Sequence, residues 1–223
     1  EAACAAVAAE RRVALGLPYS DVDGRVSFAL LDHTGVALRC CKDHPEPEGA
    51  ALWPGTEPPV ATVHTGDGAS VRVGVMLGGD AAFPEVARTL MLRGAELLVH
   101  VPTPGSGADC AVLLDRAGSN DCVVAGLWGE GSFVVDHTGE VLLPLEEGVP
   151  EVARRFGWDV AGQRRHRQRE SFSGDARRCP LNYLALGHPA ARAAARRLAA
   201  ERAAAVDSGC RPCVVRVALL QLS

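Results

Sequence analysis

The feature that most constrains the fold is a strand–turn–helix–strand unit near the middle of the chain. Apolar residues dominate positions 71–77 and predict a buried strand. Gly78 and Gly79 then permit a sharp turn, and Pro84 stands at the first position of a predicted helix. A second apolar strand is predicted over residues 97–101. The unit predicts an α/β fold with its glycine turn at the mouth of a sheet, where such turns commonly carry a nucleophile and oxyanion donors.

The same stretch resembles the nucleophile turn of the carbon–nitrogen hydrolase (nitrilase) superfamily. In that family an apolar strand leads into Cys-x-Asp, then Phe-Pro-Glu, then a helix that ends in Arg-Gly-Ala-Glu. The matching residues here are Asp80, Phe83, Pro84, Glu85, Arg93, Gly94, Ala95 and Glu96. The family's cysteine falls on Gly78. The resemblance therefore implies the family's fold, and the sequence departs from the family at the residue that attacks the substrate.

The sequence Asp-His-Thr-Gly occurs twice, at residues 32–35 and 136–139, each time between an apolar strand and a returning strand. We predict a hairpin at both places, with His33 and His137 as turn residues rather than metal ligands. The recurrence indicates a fold with two related halves. The resemblance implies the same, because the nitrilase fold is an αββα sandwich with internal pseudo-symmetry and one such hairpin in each half.

We therefore expect an α/β fold, a four-layer αββα sandwich of the nitrilase type, incomplete at the N-terminus. In the family, the strand that ends in the base glutamate precedes the helix that residues 1–13 resemble, and that strand is absent here. The expected nitrilase-like domain covers residues 1–185, followed by a helical linker over residues 186–212. Because the first residue is not methionine, we expect a processed product or a piece of a longer chain.

The last segment, residues 213–223, resembles the opening strand of a nitrilase domain. Three interpretations stay open. A second nitrilase-like unit begins here, or the chain is a permuted piece whose last strand takes the first strand's place, or the segment is an ordinary C-terminal strand.

The family's reaction requires a thiolate that attacks the carbon, a carboxylate that transfers the proton, and a lysine that holds the oxyanion with a backbone N–H. By resemblance, Lys42 in a Lys-x-His sequence after the first hairpin is the catalytic cation. Glu48 lies after Lys42, where the family often has a second, supporting glutamate, and is our candidate for that carboxylate. The alternatives are a surface lysine beside a loop and a solvated loop carboxylate. The expected catalytic set is Lys42, Glu48 and the nucleophile position Gly78, where the cysteine is absent.

Composition excludes several classes of function. The net charge is −4 and the pI is about 6.0, which argues against nucleic acid as the partner. Arginines cluster in residues 164–169, which we interpret as a solvated face or an arm, because no aromatic residues alternate with them. In the family such an arm packs across a dimer partner. No apolar run is long enough to cross a membrane and no signal peptide is visible, so we expect a cytoplasmic protein without a membrane partner.

The chain has eight cysteines, which are scattered along the sequence. We interpret most of them as buried or free thiols in a reducing compartment. The Cys-x-x-Cys at residues 210–213 has no second pair at the spacing that zinc requires. We expect no metal and no cofactor.

Three functions remain. The first is a carbon–nitrogen hydrolase-like domain that is catalytically inactive, because Gly78 replaces the nucleophile and the base strand is absent, and that acts by association with a homodimer or nitrilase-like partner. The second is an active amidase-type hydrolase of amide, nitrile or carbamoyl bonds within a longer chain. The third is a small-molecule binding module in which Lys42 attracts a small amide or a carboxylate ligand.

Overall fold

The computed structural model of the chain describes residues 2–22, 24–42, 44, 59–65, 68–103, 109–128, 131–143, 156–170 and 217–218. Its α-helices are Ala2–Arg11 (α1), Pro84–Leu92 (α2), Cys110–Asn120 (α3) and Val160–Glu170 (α4). Its strands are Ala14–Ser20 (β1), Val26–Asp32 (β2), Gly35–Cys41 (β3), Val60–His64 (β4), Ser70–Leu77 (β5), Leu97–Val101 (β6), Val123–Trp128 (β7), Gly131–Val135 (β8), Val141–Leu143 (β9) and Val217–Ala218 (β10). A 3-10 helix, Gly78–Ala82, follows β5.

The strands form two sheets, with the orders β10-β1-β2-β3 and β4-β5-β6-β7-β8-β9. At the centre of the larger sheet β5, β6 and β7 run parallel, and their flanking strands are antiparallel. Leu77 pairs with Val101, so β5 and β6 end side by side. Because ligand sites of parallel sheets lie at the carboxyl ends of the strands, this edge is where a site is expected.

Apolar side chains divide the molecule into four layers. Residues such as Phe28 of the small sheet and Val99 of the large sheet belong to one core between the sheets. On the outer face of the large sheet, Leu98 packs in a second core with residues of α2 and α3. On the outer face of the small sheet, Leu31 packs with Ala8 of α1. The predicted αββα sandwich is confirmed.

Both Asp-His-Thr-Gly segments form the predicted hairpin turns, between β2 and β3 and between β8 and β9. Oδ1 of Asp32 accepts hydrogen bonds from the backbone N–H and the hydroxyl of Thr34, at 2.8 and 2.6 Å. Asp136 and Thr138 repeat this arrangement at 2.8 and 2.7 Å. Each aspartate accepts a third bond. Asp136 accepts it from the backbone N–H of Glu140 in its own hairpin, at 3.0 Å, and Asp32 accepts it through Oδ2 from the backbone N–H of His64, at 2.9 Å. This bond ties the small sheet to β4 of the large sheet.

The expectation of a solvated arginine face was wrong for part of α4. Gln163 and Arg167 are buried. The Gln163 amide donates to the carbonyls of Glu96 and Asp121, at 3.0 and 2.7 Å. The Arg167 guanidinium donates to the carbonyls of Asp121 and Ala95, both at 2.8 Å. The polar side chains therefore satisfy backbone carbonyls just before β6 and β7, which explains why a polar helix packs there.

The terminal strand β10 runs parallel to β1, with Val217 opposite Ala14 and Ala218 opposite Leu15. It therefore adds an outer strand to the small sheet. The segment from residue 171 to residue 216, which includes the predicted linker, lies outside the described residues. The division at residues 185 and 212 stays a prediction.

Candidate active site

The turn after β5 is built around Gly78 and Asp80. Gly78 has φ +54°, in the left-handed region that glycine adopts without a steric penalty. Asp80 is buried, and its Oδ2 accepts a hydrogen bond from the backbone N–H of Leu77 at 3.3 Å. His100, at the end of the neighbouring β6, donates from Nε2 to the Gly78 carbonyl at 3.0 Å. The backbone of the turn is thus fixed from both adjacent strands.

The space beside Gly78 is occupied by side chains from two other segments. A Cβ added to Gly78 would lie 2.0 Å from Oγ1 of Thr103 and 3.1 Å from Nζ of Lys42. The first distance is far below any normal contact, so the Thr103 hydroxyl fills the place where a side chain at position 78 would begin. The second shows that the structure brings two of the predicted site residues, Lys42 and Gly78, together.

Lys42 arrives from the opposite sheet, at the end of β3. Its backbone N–H donates to the carbonyl of Val26 at 2.9 Å. Two residues later, the backbone N–H of His44 donates to Oδ1 of Asp80 at 2.8 Å, and His44 Nδ1 lies 3.1 Å from the same oxygen. The His44 ring also stacks on Phe83, with 3.8 Å between ring centroids and 13° between planes. These contacts attach the lysine segment to the glycine turn.

Two further polar groups support the turn. The buried Arg116 guanidinium of α3 donates to the carbonyls of Ala81 and Ala82, at 3.0 and 3.1 Å. Burial lowers the pKa of His100, against the opposing effects of its hydrogen bond to Gly78 and the nearby Asp80 carboxylate. A neutral His100 carrying its proton on Nε2 fits the bond to the Gly78 carbonyl.

Glu48, the third predicted site residue, lies outside the described residues. The structure therefore brings Lys42 to Gly78 and leaves the predicted carboxylate as a prediction. In the sequence, Asp80 matches the aspartate of the family motif, and its carboxylate bridges His44 and Leu77.

A compositional signal for Lys42 was available in the sequence. Lys42 is the only lysine in the chain, and the other 22 of the 23 basic residues are arginines. A lysine ammonium is a compact charge that a planar guanidinium does not replace at a confined site. The use of lysine at this one position therefore indicates a specific role for Lys42.

The sequence reasoning did not identify Thr103 and His100. Both belong to the segment that ends β6, beside the end of β5. The rule that side chains at the carboxyl ends of neighbouring parallel strands meet would have found them.

None of the described cysteines lies in the turn that follows β5. Among the described residues, Cys4, Cys40, Cys41, Cys110 and Cys122 form no disulfide bond. Burial raises the pKa of the Cys110 thiol, as does the neighbouring Asp109 carboxylate, so Cys110 is less readily ionised than an ordinary cysteine. Within the described residues, no group of three or more His, Cys, Asp or Glu side chains could hold a metal ion. None of the described helices has the length and apolar character that a membrane crossing requires.

Comparison with known sequences finds no matching family model and no matching curated protein. Solved structures do match. A mutant of the amidase from Nesterenkonia sp. AN1 in complex with butyramide is 24% identical, over 66% of this chain and 63% of that chain, with a TM-score of 0.52. A second mutant of this nitrilase-superfamily amidase is 25% identical, over 65% of this chain and 62% of that chain, with a TM-score of 0.51.

The chain has the fold of the nitrilase-superfamily amidases. The resemblance drawn from the Asp80 to Glu96 motif is thereby confirmed at the level of the fold. The chain spans a little less than two thirds of the length of these amidase chains. A third structure of the Nesterenkonia sp. AN1 amidase, 24% identical over 66% of each chain with a TM-score of 0.50, shows Michael addition of acrylamide at its active site cysteine. By resemblance, the cysteine position of the family is Gly78 in this chain.

Proposed function

We propose that this chain is a carbon–nitrogen hydrolase-fold domain without hydrolase activity at the Gly78 site. The observation that carries the proposal is the Thr103 hydroxyl, 2.0 Å from the position of a Cβ on Gly78. Position 78 lacks a thiol, and the space for one is also filled. Loss of the nucleophile from a set of groups that act together removes most of the rate acceleration, so the remaining groups give little turnover.

A domain without turnover acts by binding a partner or a ligand. The partner expected from the sequence is a second copy or a nitrilase-like unit. No contact among the described residues tests that expectation. An active amidase within a longer chain is the competing function. It requires a nucleophile at or near the turn, which chemical trapping detects.

Trapping with acrylamide tests the proposal, since this reagent adds to the active site cysteine of the structurally similar amidase. Residues 71–103 of the present chain contain no cysteine. After incubation with acrylamide and proteolysis, we expect mass spectrometry to find no adduct in that segment. Slow addition at the exposed Cys41 serves as the reference for an ordinary thiol. An adduct at Thr103 that forms faster than the Cys41 adduct would overturn the proposal.

A second candidate function, binding of a small amide or carboxylate, is favoured by Lys42. Its ammonium nitrogen lies 3.1 Å from the position of a Cβ added to Gly78, although residue 78 carries no thiol. An ammonium at the carboxyl end of parallel strands can bind a carboxylate or polarise an amide oxygen. We expect butyramide or butyrate to bind, because butyramide occupies one of the similar amidase structures.

Calorimetric titration with butyramide and butyrate measures this binding in wild type and two variants. Lys42→Met removes the ammonium at the turn. Arg39→Met removes the same unit of charge from an exposed position on β3, three residues before Lys42, and serves as the matched control. We expect the Lys42 variant alone to lose binding. Equal affinity in all three proteins, or no binding to wild type, would contradict a ligand site at Lys42.

A further inference from the structure

The position of Lys42 depends on a connection between the two sheets. Lys42 directly follows β3 of the small sheet, whereas Gly78 directly follows β5 of the large sheet. On its own sheet the lysine is anchored by its N–H bond to the Val26 carbonyl. That bond fixes the backbone at one end of the segment and leaves four rotatable bonds in the side chain. A second contact, from the large sheet, fixes the segment on the side of the turn.

Asp80 supplies contacts on the other side. Its Oδ1 lies 2.8 Å from the backbone nitrogen and 3.1 Å from Nδ1 of His44, and its Oδ2 lies 3.3 Å from the nitrogen of Leu77. One carboxylate therefore binds the lysine segment with one oxygen and the end of β5 with the other. We infer that Asp80 is a positioning residue that, through His44, holds the Lys42 ammonium against the turn. The inference rests on the proposed function, in which Lys42 is the group that meets the ligand.

The electrostatics of the site agree with this role. Asp80 is only 3% exposed, and a buried carboxylate is stable there only if hydrogen-bond donors surround it. Both sheets contribute those donors, so separating the segments would leave the carboxylate short of partners. The Phe83 ring stacks on the His44 ring and limits movement of the histidine toward that side.

The single lysine of the chain makes the inference measurable. An amine-selective acylating reagent can modify Lys42 and the terminal amino group, and a proteolytic peptide that contains Lys42 separates the two. The rate of acylation at Lys42 reports how well its amine is held and covered. The measurement needs neither a ligand nor any enzymatic activity.

His44→Ala and Asp80→Asn are the test variants. The side chain of His44 is 40% exposed, so we expect the His44→Ala variant to fold. Asparagine at position 80 keeps one acceptor oxygen and turns an NH₂ group toward N–H donors, which breaks one side of the connection. We expect Lys42 to be acylated about tenfold faster in Asp80→Asn, as for loss of one hydrogen bond to a charged acceptor. The double variant should be no faster than Asp80→Asn, because both residues act through one connection.

Asp32→Asn is the matched control, since Asp32 is also buried and also accepts hydrogen bonds from two segments. Asp32 lies at the turn of the β2–β3 hairpin, whereas Lys42 follows the opposite end of β3. We expect wild-type acylation of Lys42 in that control. An unchanged rate in Asp80→Asn, or an equal increase in Asp32→Asn, would overturn the inference. Protection of Lys42 by butyrate is measured in the same samples. Faster acylation in the variants without protection in wild type would refute the ligand site and support the positioning role.

Discussion

Replacing Gly78 by alanine is expected to destabilise the protein by about 2–5 kcal/mol, through two separate effects. The first is backbone strain, because Gly78 has φ +54° and a side chain in the left-handed region costs about 1–2 kcal/mol. The second is crowding, because the new Cβ would lie 2.0 Å from Oγ1 and 3.1 Å from Cβ of Thr103. Overpacking of this kind costs about 1–3 kcal/mol.

Gly139→Ala separates the two effects. Gly139 has φ +89°, and a Cβ added there would meet no heavy atom within 4 Å. The substitution therefore introduces strain without crowding, and we expect it to cost about 1–2 kcal/mol. The additional cost of Gly78→Ala measures the contact with Thr103.

Urea unfolding of Gly78→Ala, Thr103→Ala and the double variant completes the assay. Thr103→Ala removes the hydroxyl that the new Cβ would strike, so the two substitutions should be coupled by about 1 kcal/mol or more. Equal costs for Gly78→Ala and Gly139→Ala, together with additive effects at positions 78 and 103, would refute the reasoning that Thr103 occupies the space of the nucleophile.

Three further predictions concern the repeated hairpin, a half-buried histidine and the missing thiol. Asp32→Ala should lower the free energy of unfolding by about 1–2 kcal/mol more than Asp136→Ala in urea unfolding, because the third bond of the buried Asp32 joins the two sheets, whereas that of Asp136 lies within its own exposed hairpin. Burial lowers the pKa of His137, so the unfolded chain binds more protons and stability should fall as pH drops below about 6.5. In thermal unfolding across that pH range, His137→Asn should show a smaller fall. Gly78→Cys with Thr103→Ala should make room for a thiol yet release no ammonia from butyramide, because a thiol restores only one member of a set of groups that act together. Steady release would reveal a base in the chain.

The central unit and both hairpins could be predicted because their signals are local. An apolar run into Gly78, with Pro84 six positions later, specifies a strand, a turn and a helix within one short stretch. Each Asp-His-Thr-Gly segment contains its own hydrogen-bond acceptor and donors, as Asp136 and Thr138 show. Such elements do not depend on distant neighbours.

The missed features depend on contacts between distant segments. Thr103 acquires its role only because β6 ends beside β5. Gln163 and Arg167 look like surface residues in sequence, and the backbone carbonyls that they satisfy are more than forty positions away. Lys42 was identified by its motif, but its approach to Gly78 could be established only from the packing of the two sheets.

Ammonia release by this chain is the most direct test of the central claim, that the site at Gly78 has no hydrolase activity. The measurement uses butyramide, a nitrile and a carbamoyl compound at high protein concentration, with Lys42→Met as the control. We expect no release above background from either protein. Release by wild type that disappears in Lys42→Met would contradict the account, because it would show a working hydrolase with a nucleophile other than cysteine at position 78.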